Sequence, residues 1–467
     1  MQSKVITKLP LDLGPIHFIG VGGIGMSGIA ELLVNLGYRV SGSDLRNTPI
    51  IERLRSLGVS IQLGHSPKNI FGAETVVISS AIAKENVELM EARRRSIPVV
   101  KRSEMLAELM RLKSNIAIAG THGKTTTTSM VAAVLEAGEL DPTVVNGGII
   151  QAYGSNARLG TGDWMVVEAD ESDGTLVNIP ATIAVVTNLD AEHLEHYGSF
   201  NNLKRTFLDF LGKIPFYGVG ICCVDHPVVC DLVSKTKDRR ILTYGFNDNA
   251  DFVIKNLHYS EEKSYFDISY ESKRAKVTLE LPMYGEHNVT NAAAAVSVAL
   301  HLNIACESIE HALKNFKGVK RRFTKVCTWN GINIIDDYAH HPVEIKAVLS
   351  AARQYSSGRV IAVHQPHRYS RLNSLMDEFC ECFDEADFVG ITPIYAAGEL
   401  PLKGVSSDIL ISRLNSEVDR ATNINDEIGL RSFLKARARP GDIFVCLGAG
   451  SISQWVNRLP ELLALEN

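Results

Sequence analysis

The sequence predicts an α/β protein of three consecutive domains, because three times the chain restarts with a short apolar strand and a glycine-rich or polar turn. These restarts are Ile16 to Ile19 before GVGGIG, Ile116 to Ala119 before GTHGKT, and Ile332 to Ile335 before DDYAHHP. Amphipathic helical stretches such as 31–36 and 343–352 alternate with the strands. A length of 467 residues exceeds one ordinary core. Boundaries near Lys113 and Arg322 give segments 1–113, 114–322 and 323–467. Between Ile241 and Leu281 the pattern turns to period-two alternation, clearest in SYFDISY and AKVTLEL, which predicts antiparallel strands extending the middle sheet.

Composition narrows the function classes. Apolar residues make up 45% and the net charge is only −5, so there is no electrostatic footprint for bulk nucleic-acid binding. Any anion must be met locally. The start MQSKVITKLPLDLGP lacks a signal-peptide apolar core and the Ala-rich run 291–302 is too short and polar to span a bilayer, so a cytosolic protein without membrane insertion is expected. The eight cysteines form no CxxC pair and read as small buried hydrophobes.

The stretch GTHGKTTTT, 120–128, places four threonines where a helix should begin. A strand, a glycine turn and a helix opening with Lys-Thr is how a backbone wraps a polyphosphate. Gly120, Thr121 and Gly123 would offer N–H groups, Lys124 a mobile charge, and Thr125 and Thr126 hydroxyls, Thr125 toward magnesium. At a helix N-terminus, hydroxyls cap and bind ions, so their poor helix propensity costs little. The usual G-x-x-x-x-G-K-[ST] pattern has Ile118 where its first glycine belongs, so the loop is a shortened variant. Two further strands, 163–167 and 182–186, lead into EADESD and TNLDAEHLEH; in a parallel sheet their carboxyl ends share one crevice with the loop. A carboxylate there suits a hard magnesium ion. Alone, EADESD also reads as a solvated acidic loop.

Gly20, Gly22, Gly23 and Gly25 form a glycine turn between a strand and a helix, and Asp44 follows after a second strand, 39–41. This is a dinucleotide fingerprint that by itself suggests NAD or FAD. The loop physically recognises a diphosphate, which a nucleotide sugar also carries. A second, ATP-type loop a hundred residues on favours two different phosphorylated ligands over an NAD-dependent dehydrogenase. In the third segment, DDYAHHP and HQPHRYSR each follow a strand, and their His and Arg side chains could grip a carboxylate or phosphate. A basic surface loop explains that cluster at least as well.

GTHGKTTT, EADESD, TNLDAEHLEHY, GEHNVTNAAAA, RRF, DDYAHHP and HQPHRYSR occur in this order in the Mur ligases, ATP-dependent amide-forming enzymes of peptidoglycan synthesis, and the whole chain resembles that family. IHFIGVGGIGMSGIAELL is similar to the branch joining L-alanine to UDP-N-acetylmuramate. A ligase attaching a recycled tripeptide to the same nucleotide is the nearest alternative. The resemblance implies a Rossmann-like first domain for the UDP-sugar, a central P-loop ATPase-type domain for ATP and Mg²⁺, and a Rossmann-like third domain that closes over the site and helps bind the amino acid. It implies Lys124 on the β/γ-phosphates, Thr125 and Glu168 on one magnesium, and His193 near a second. It further implies His287, Asn291 and Arg322 at the nucleotide and Asp336 or Asp337 facing ATP. His341, His367, Arg368 and Arg371 would then belong to the substrate side, the last three near the amino-acid carboxylate. GEHNVTN also reads as the capped start of an Ala-rich core helix.

Overall fold

The computed structural model describes residues 13–172, 175–260, 263–270, 275–416 and 419–464. Its strands form three sheets. The first contains β1 (Ile16–Ile19), β2 (Val40–Asp44), β3 (Ser60–Leu63), β4 (Thr75–Ile78) and β5 (Val99–Lys101), in the order β3-β2-β1-β4-β5 and parallel throughout. The order reverses between β1 and β4, the switch point where a doubly wound sheet opens a crevice. GVGGIG leaves β1 at that point. β2 runs on to Asp44, past the expected end at Ser41, so the fingerprint carboxylate stands at the strand's carboxyl end.

The second sheet holds β6 (Ser114–Ala119), β7 (Thr143–Ile150), β8 (Ser155–Arg158), β9 (Trp164–Glu168), β10 (Ile183–Val186), β11 (Val219–Cys223), β12 (Ile241–Gly245), β13 (Phe252–Ser260), β14 (Lys263–Tyr270) and β15 (Ala275–Leu281). Their order is β15-β14-β13-β12-β11-β10-β6-β9-β7-β8. β6, which carries the phosphate-loop motif, lies between β9 and β10 and is parallel to both. Those neighbours carry EADESD and TNLD, so sheet order alone brings the three motifs to one edge. The expected antiparallel extension needs a correction at its start: β12 pairs parallel with both β11 and β13. A crossover rather than a hairpin joins β11 to β12, because the helix Pro227–Lys235 intervenes.

The third sheet comprises β16 (Thr324–Trp329), β17 (Ile332–Asp337), β18 (Val360–His364), β19 (Phe388–Ile391), β20 (Ala421–Asn423) and β21 (Ile443–Leu447). The order is β16-β17-β21-β18-β19-β20, with only β16 antiparallel to its neighbour. Apolar side chains cover both faces, Ile345, Leu349 and Phe383 on one and Leu430, Phe444 and Val456 on the other.

By packing, the chain divides into two compact units. One holds residues 1–257, 266–280 and 290–317, the other 258–265, 281–289 and 318–467. In the larger unit a single core joins the first sheet to the middle one. The helix Ile24–Asn35 is the seam. A Cβ on Gly28 would come within 2.8 Å of Asn156 Nδ2 and 3.3 Å of Ala157 Cβ, so the glycine lets this helix lie directly on β8. Asn156 Nδ2 donates to Ile24 O at 2.6 Å, and Ser155 Oγ to Glu31 Oε2 at 2.9 Å. Among the described residues no helix is long and apolar enough to cross a membrane.

Candidate active site

The helix Lys124–Ala137 buries Met130, Val131, Val134 and Leu135 completely. Each contributes roughly 1.5–3 kcal/mol, against about half a kcal/mol lost per threonine, so burial outweighs the four hydroxyls at its start. The turn before it is shaped by glycine. Gly120 has φ +138° and Gly123 φ +82°, and a Cβ on Gly123 would collide with Asn291 Oδ1. That same Oδ1 accepts from Thr127 Oγ1 at 3.1 Å. Asn291 therefore supports the loop from below.

The TNLD turn holds the loop from the side. His122 N donates to Asn188 Oδ1 at 2.7 Å, while Thr187 Oγ1 and Asn188 Nδ2 donate to His122 O at 2.7 and 3.1 Å. Asp190 N donates to Thr121 Oγ1 at 2.8 Å. The Asp190 carboxylate lies 3.3 Å from His122 Nε2 and 3.3 Å from His226 Nε2. Hydrogen bonds from these two rings hold it well below the usual carboxylate range.

Lys124 Nζ donates to Gly120 O at 2.6 Å, Thr121 O at 3.1 Å and Glu171 Oε1 at 2.9 Å. Burial pushes its pKa down, but Glu171, Asp170 and Glu168 together outweigh burial and keep the amine charged. Burial raises the Glu171 carboxyl to about 7 despite the lysine, and its Oε2 is buried without a hydrogen-bond partner. His193, with a left-handed φ of 57°, turns its Nε2 to 3.9 Å from Glu171 and 3.6 Å from Glu192. Glu168 stands at the end of β9 and accepts from Gly147 N at 2.7 Å. Thr125 and Thr126 are buried in the first helical turn. Among the described residues no group of three or more His, Cys, Asp or Glu could hold a metal; Asp173 of EADESD lies outside them.

The first glycine turn lies close to this site. Gly23 caps the helix Ile24–Asn35, Gly20 has φ +76°, and Gly22 N donates to Asp44 Oδ2 at 2.8 Å. Asp44 thus ties down the turn's own backbone. Arg102 covers Gly25, with its Cδ and Nη1 3.0 Å from where a Cβ would be, and its Nη2 lies 3.3 Å from Asp170 Oδ2. Adjacent carboxylates, Asp170 and Glu171, therefore link the two glycine loops through Arg102 and Lys124. Sequence reasoning missed both Arg102 and the specific role of Glu171. EADESD carried a signal for Glu171, whereas Arg102 sits in an unremarkable VVKRSEML.

The second unit gathers the remaining candidates. Asp337 accepts from Phe323 N at 2.6 Å and Ala339 N at 2.7 Å, and burial, opposed by Arg322, lifts its carboxyl to about 6. His287 feels Arg322 as well; burial first and that charge second push it down to about 4. Asp336 points to the other face of the strand, where it accepts from Ser453 Oγ at 2.5 Å and Asn457 Nδ2 at 3.1 Å. Alternation along β17 turns it into the packing of the helix Ile452–Ala464. His341, expected on the substrate side, caps the helix Pro342–Tyr355, its Nδ1 accepting from Val343 N at 3.4 Å. Its neighbour His340 packs edge-on against His367 at 5.6 Å. Arg371 Nη1 lies 3.4 Å from His367 Nδ1, and the exposed Arg368 lies 3.9 Å from Glu399. Burial, and then His340, Arg371 and Arg368, push His367 down to about 3, so its imidazole is neutral.

Comparison with known proteins agrees with this arrangement across the chain. Residues 15–114 match the Mur ligase family catalytic domain, 118–299 the Mur ligase middle domain, and 321–450 the Mur ligase glutamate ligase domain. The UDP-N-acetylmuramate--L-alanine ligase of Jannaschia sp. (strain CCS1) is 60% identical over 99% of this chain and 98% of its own. That of Roseobacter denitrificans is 60% identical over 98% of each. The crystal structure of UDP-N-acetylmuramate-alanine ligase MurC from Thermotoga maritima superposes with a TM-score of 0.83 at 28% identity, covering 97% of this chain and 100% of that one. A murein peptide ligase from Psychrobacter arcticus shares the fold, with a TM-score of 0.73 at 24% identity over 97% and 99%. Three matched segments spanning the sheets and relatives at 60% identity lead to one conclusion: this chain is a member of the Mur ligase family.

Proposed function

We infer that this chain is an ATP-dependent ligase that joins L-alanine to the lactyl carboxylate of UDP-N-acetylmuramate in peptidoglycan synthesis, releasing ADP and phosphate. The observation that carries this is the 60% identity, over nearly the full length, to ligases of that name, together with a charged lysine held in a glycine loop. The chain works in the cytoplasm, and its segments 1–113, 114–322 and 323–467 would serve the UDP-sugar, ATP and the amino acid.

A carboxylate does not react with an amine at neutral pH. ATP would transfer its γ-phosphoryl group to the carboxylate, leaving ADP and an acyl phosphate from which the attacking amine would displace phosphate, while magnesium would offset the phosphate charge. The residues present fit such a ligand. Gly120 and Gly123 give the loop positive-φ backbone packed so tightly on Thr187 and Asn291 that a side chain would displace it, and Glu171 Oε2 is a buried oxygen without a partner. Thr125 and Glu168 would hold one magnesium ion, and His193 would stand near a second. Lys124, kept cationic between carbonyls and Glu171, would offset charge on the phosphoryl group. Arg102 would meet the diphosphate at the first glycine turn, since Asp44 already occupies Gly22 N. His287, Arg322 and Asp337 would serve the nucleotide, and His367, Arg368 and Arg371 the amino-acid carboxylate by charge-assisted hydrogen bonds.

The test is phosphate release by purified protein given ATP, magnesium and UDP-N-acetylmuramate, with L-alanine or L-alanyl-γ-D-glutamyl-meso-diaminopimelate in parallel. Release driven by alanine is the expected result. Release driven only by the tripeptide would move the chain to the recycling branch, and silence with both would overturn the activity.

A further inference from the structure

Beside the proposed carboxylate site, the ring of Tyr395 lies flat on His367, centroids 5.5 Å apart and planes 13° from parallel. The backbone fixes that contact. His367 and Tyr395 form a parallel bridge; Arg368 N donates to Tyr395 O at 2.9 Å and Tyr395 N to Pro366 O at 2.8 Å. Ser370 N and Oγ donate to Glu399 at 3.0 and 2.6 Å, which fastens the far end of the segment 395–399 to the helix Tyr369–Ser374. The ring is also held at Gly450, where a Cβ would come 2.6 Å from Tyr395 Cγ. Arg368 has φ +71°, a conformation that a long side chain keeps only where its surroundings impose it.

The stack belongs to a longer row. His367 meets His340 at 5.6 Å, and His340 meets Tyr338 at 5.2 Å. Arg371 touches His367 at its Nδ1 edge, whereas Tyr395 covers a face. A carboxylate on Arg371 therefore has its substituents beside rings that cannot retreat.

We propose that Tyr395 is the specificity-determining wall of the amino-acid site, limiting the incoming amino acid to a side chain of about one carbon. This rests on His367, Arg368 and Arg371 being the carboxylate site. A rigid wall rejects one extra methylene by roughly 10- to 200-fold.

The experiment compares kcat/KM for glycine, L-alanine and L-2-aminobutyrate, read as phosphate release, in the full chain and in Tyr395→Ala, Tyr395→Phe and Arg371→Ala. Tyr395→Ala is expected to raise the aminobutyrate-to-alanine ratio about tenfold with the KM for ATP unchanged, and Tyr395→Phe, which keeps the ring, to retain the wild-type ratio. An unchanged ratio in Tyr395→Ala overturns the proposal. Should that variant not fold, Tyr395→Trp is expected to lower the alanine-to-glycine ratio about tenfold, and an unchanged ratio there overturns it equally. Arg371→Ala separates the two layers. A raised KM for every amino acid upholds the carboxylate site independently of Tyr395, and an unchanged KM removes the site and the wall together.

Discussion

Lys124 Nζ lies 2.9 Å from Glu171 Oε1, a buried ion pair at the mouth of the phosphate loop. A buried pair is poor evidence for stability, because desolvation offsets most of its attraction. Here one carboxylate oxygen is left without a partner, and the amine already bonds two loop carbonyls. The arrangement stores a cation where phosphate charge would arrive.

Lys124→Ala should lower kcat by about a thousandfold or more while the fold persists, since Glu171, already raised to about 7, can take up a proton when its partner is lost. Phosphate release and a circular-dichroism melt check this. Near-full activity in the variant would remove the loop assignment.

Gly123→Ala should raise the KM for ATP at least tenfold and cost about 1–2 kcal/mol of stability. The left-handed backbone accounts for the strain, and the new methyl would strike Asn291 Oδ1. Asn291→Ala, which loses that support without adding bulk, should have the smaller effect on melting. Equal melting temperatures for wild type and Gly123→Ala would contradict the loop geometry.

Asp190→Ala should loosen the loop through His122, while the backbone bond from residue 190 N to Thr121 Oγ1 persists, raising the KM for ATP about tenfold with a smaller change in the KM for UDP-N-acetylmuramate. His226→Phe, which removes only the outer brace on Asp190, should fall between wild type and Asp190→Ala. Initial-rate kinetics with each substrate varied in turn decide it.

Acid stability should depend on Glu88, buried in the first segment. Burial would raise its pKa, but hydrogen bonds from His17, Ser43, Asn69 and Ser66 N prevail and lower it from 4.5 to about 2. A depressed carboxyl stabilises the fold above its unfolded pKa and loses that contribution as the pH falls from about 4.5 to about 2. The difference amounts to roughly 3 kcal/mol. Glu88→Gln should therefore be less stable than wild type near neutrality, with the gap closing across that window. Denaturant melts between pH 7 and pH 3 measure it, and a gap constant with pH would refute the linkage.

Much of the phosphate loop was legible in the sequence because its physics is local. A strand, two glycines and a Lys-Thr helix start sit within a dozen residues, and the positive φ of Gly120 and Gly123 bears out why glycine stands there. The HHP pair shows what neighbouring residues leave open. His340 and His341 are adjacent and chemically identical, yet the start of the helix Pro342–Tyr355 makes His341 a cap and leaves His340 beside His367. Asp336 and Asp337 divide the same way, since a strand sends neighbours to opposite faces.

By itself the sequence determined the α/β class, the three strand-turn restarts and the strand-glycine-helix form of the loop at 120–125, since each follows from the order of nearby residues. Tertiary structure decided which distant side chains complete the site. Sheet order set β9 and β10 beside β6 and so delivered Glu171 and Asp190, and Arg102 reached Asp170 across Gly25. Such long-range pairings depend on strand adjacency and helix approach, which no stretch of neighbouring residues encodes.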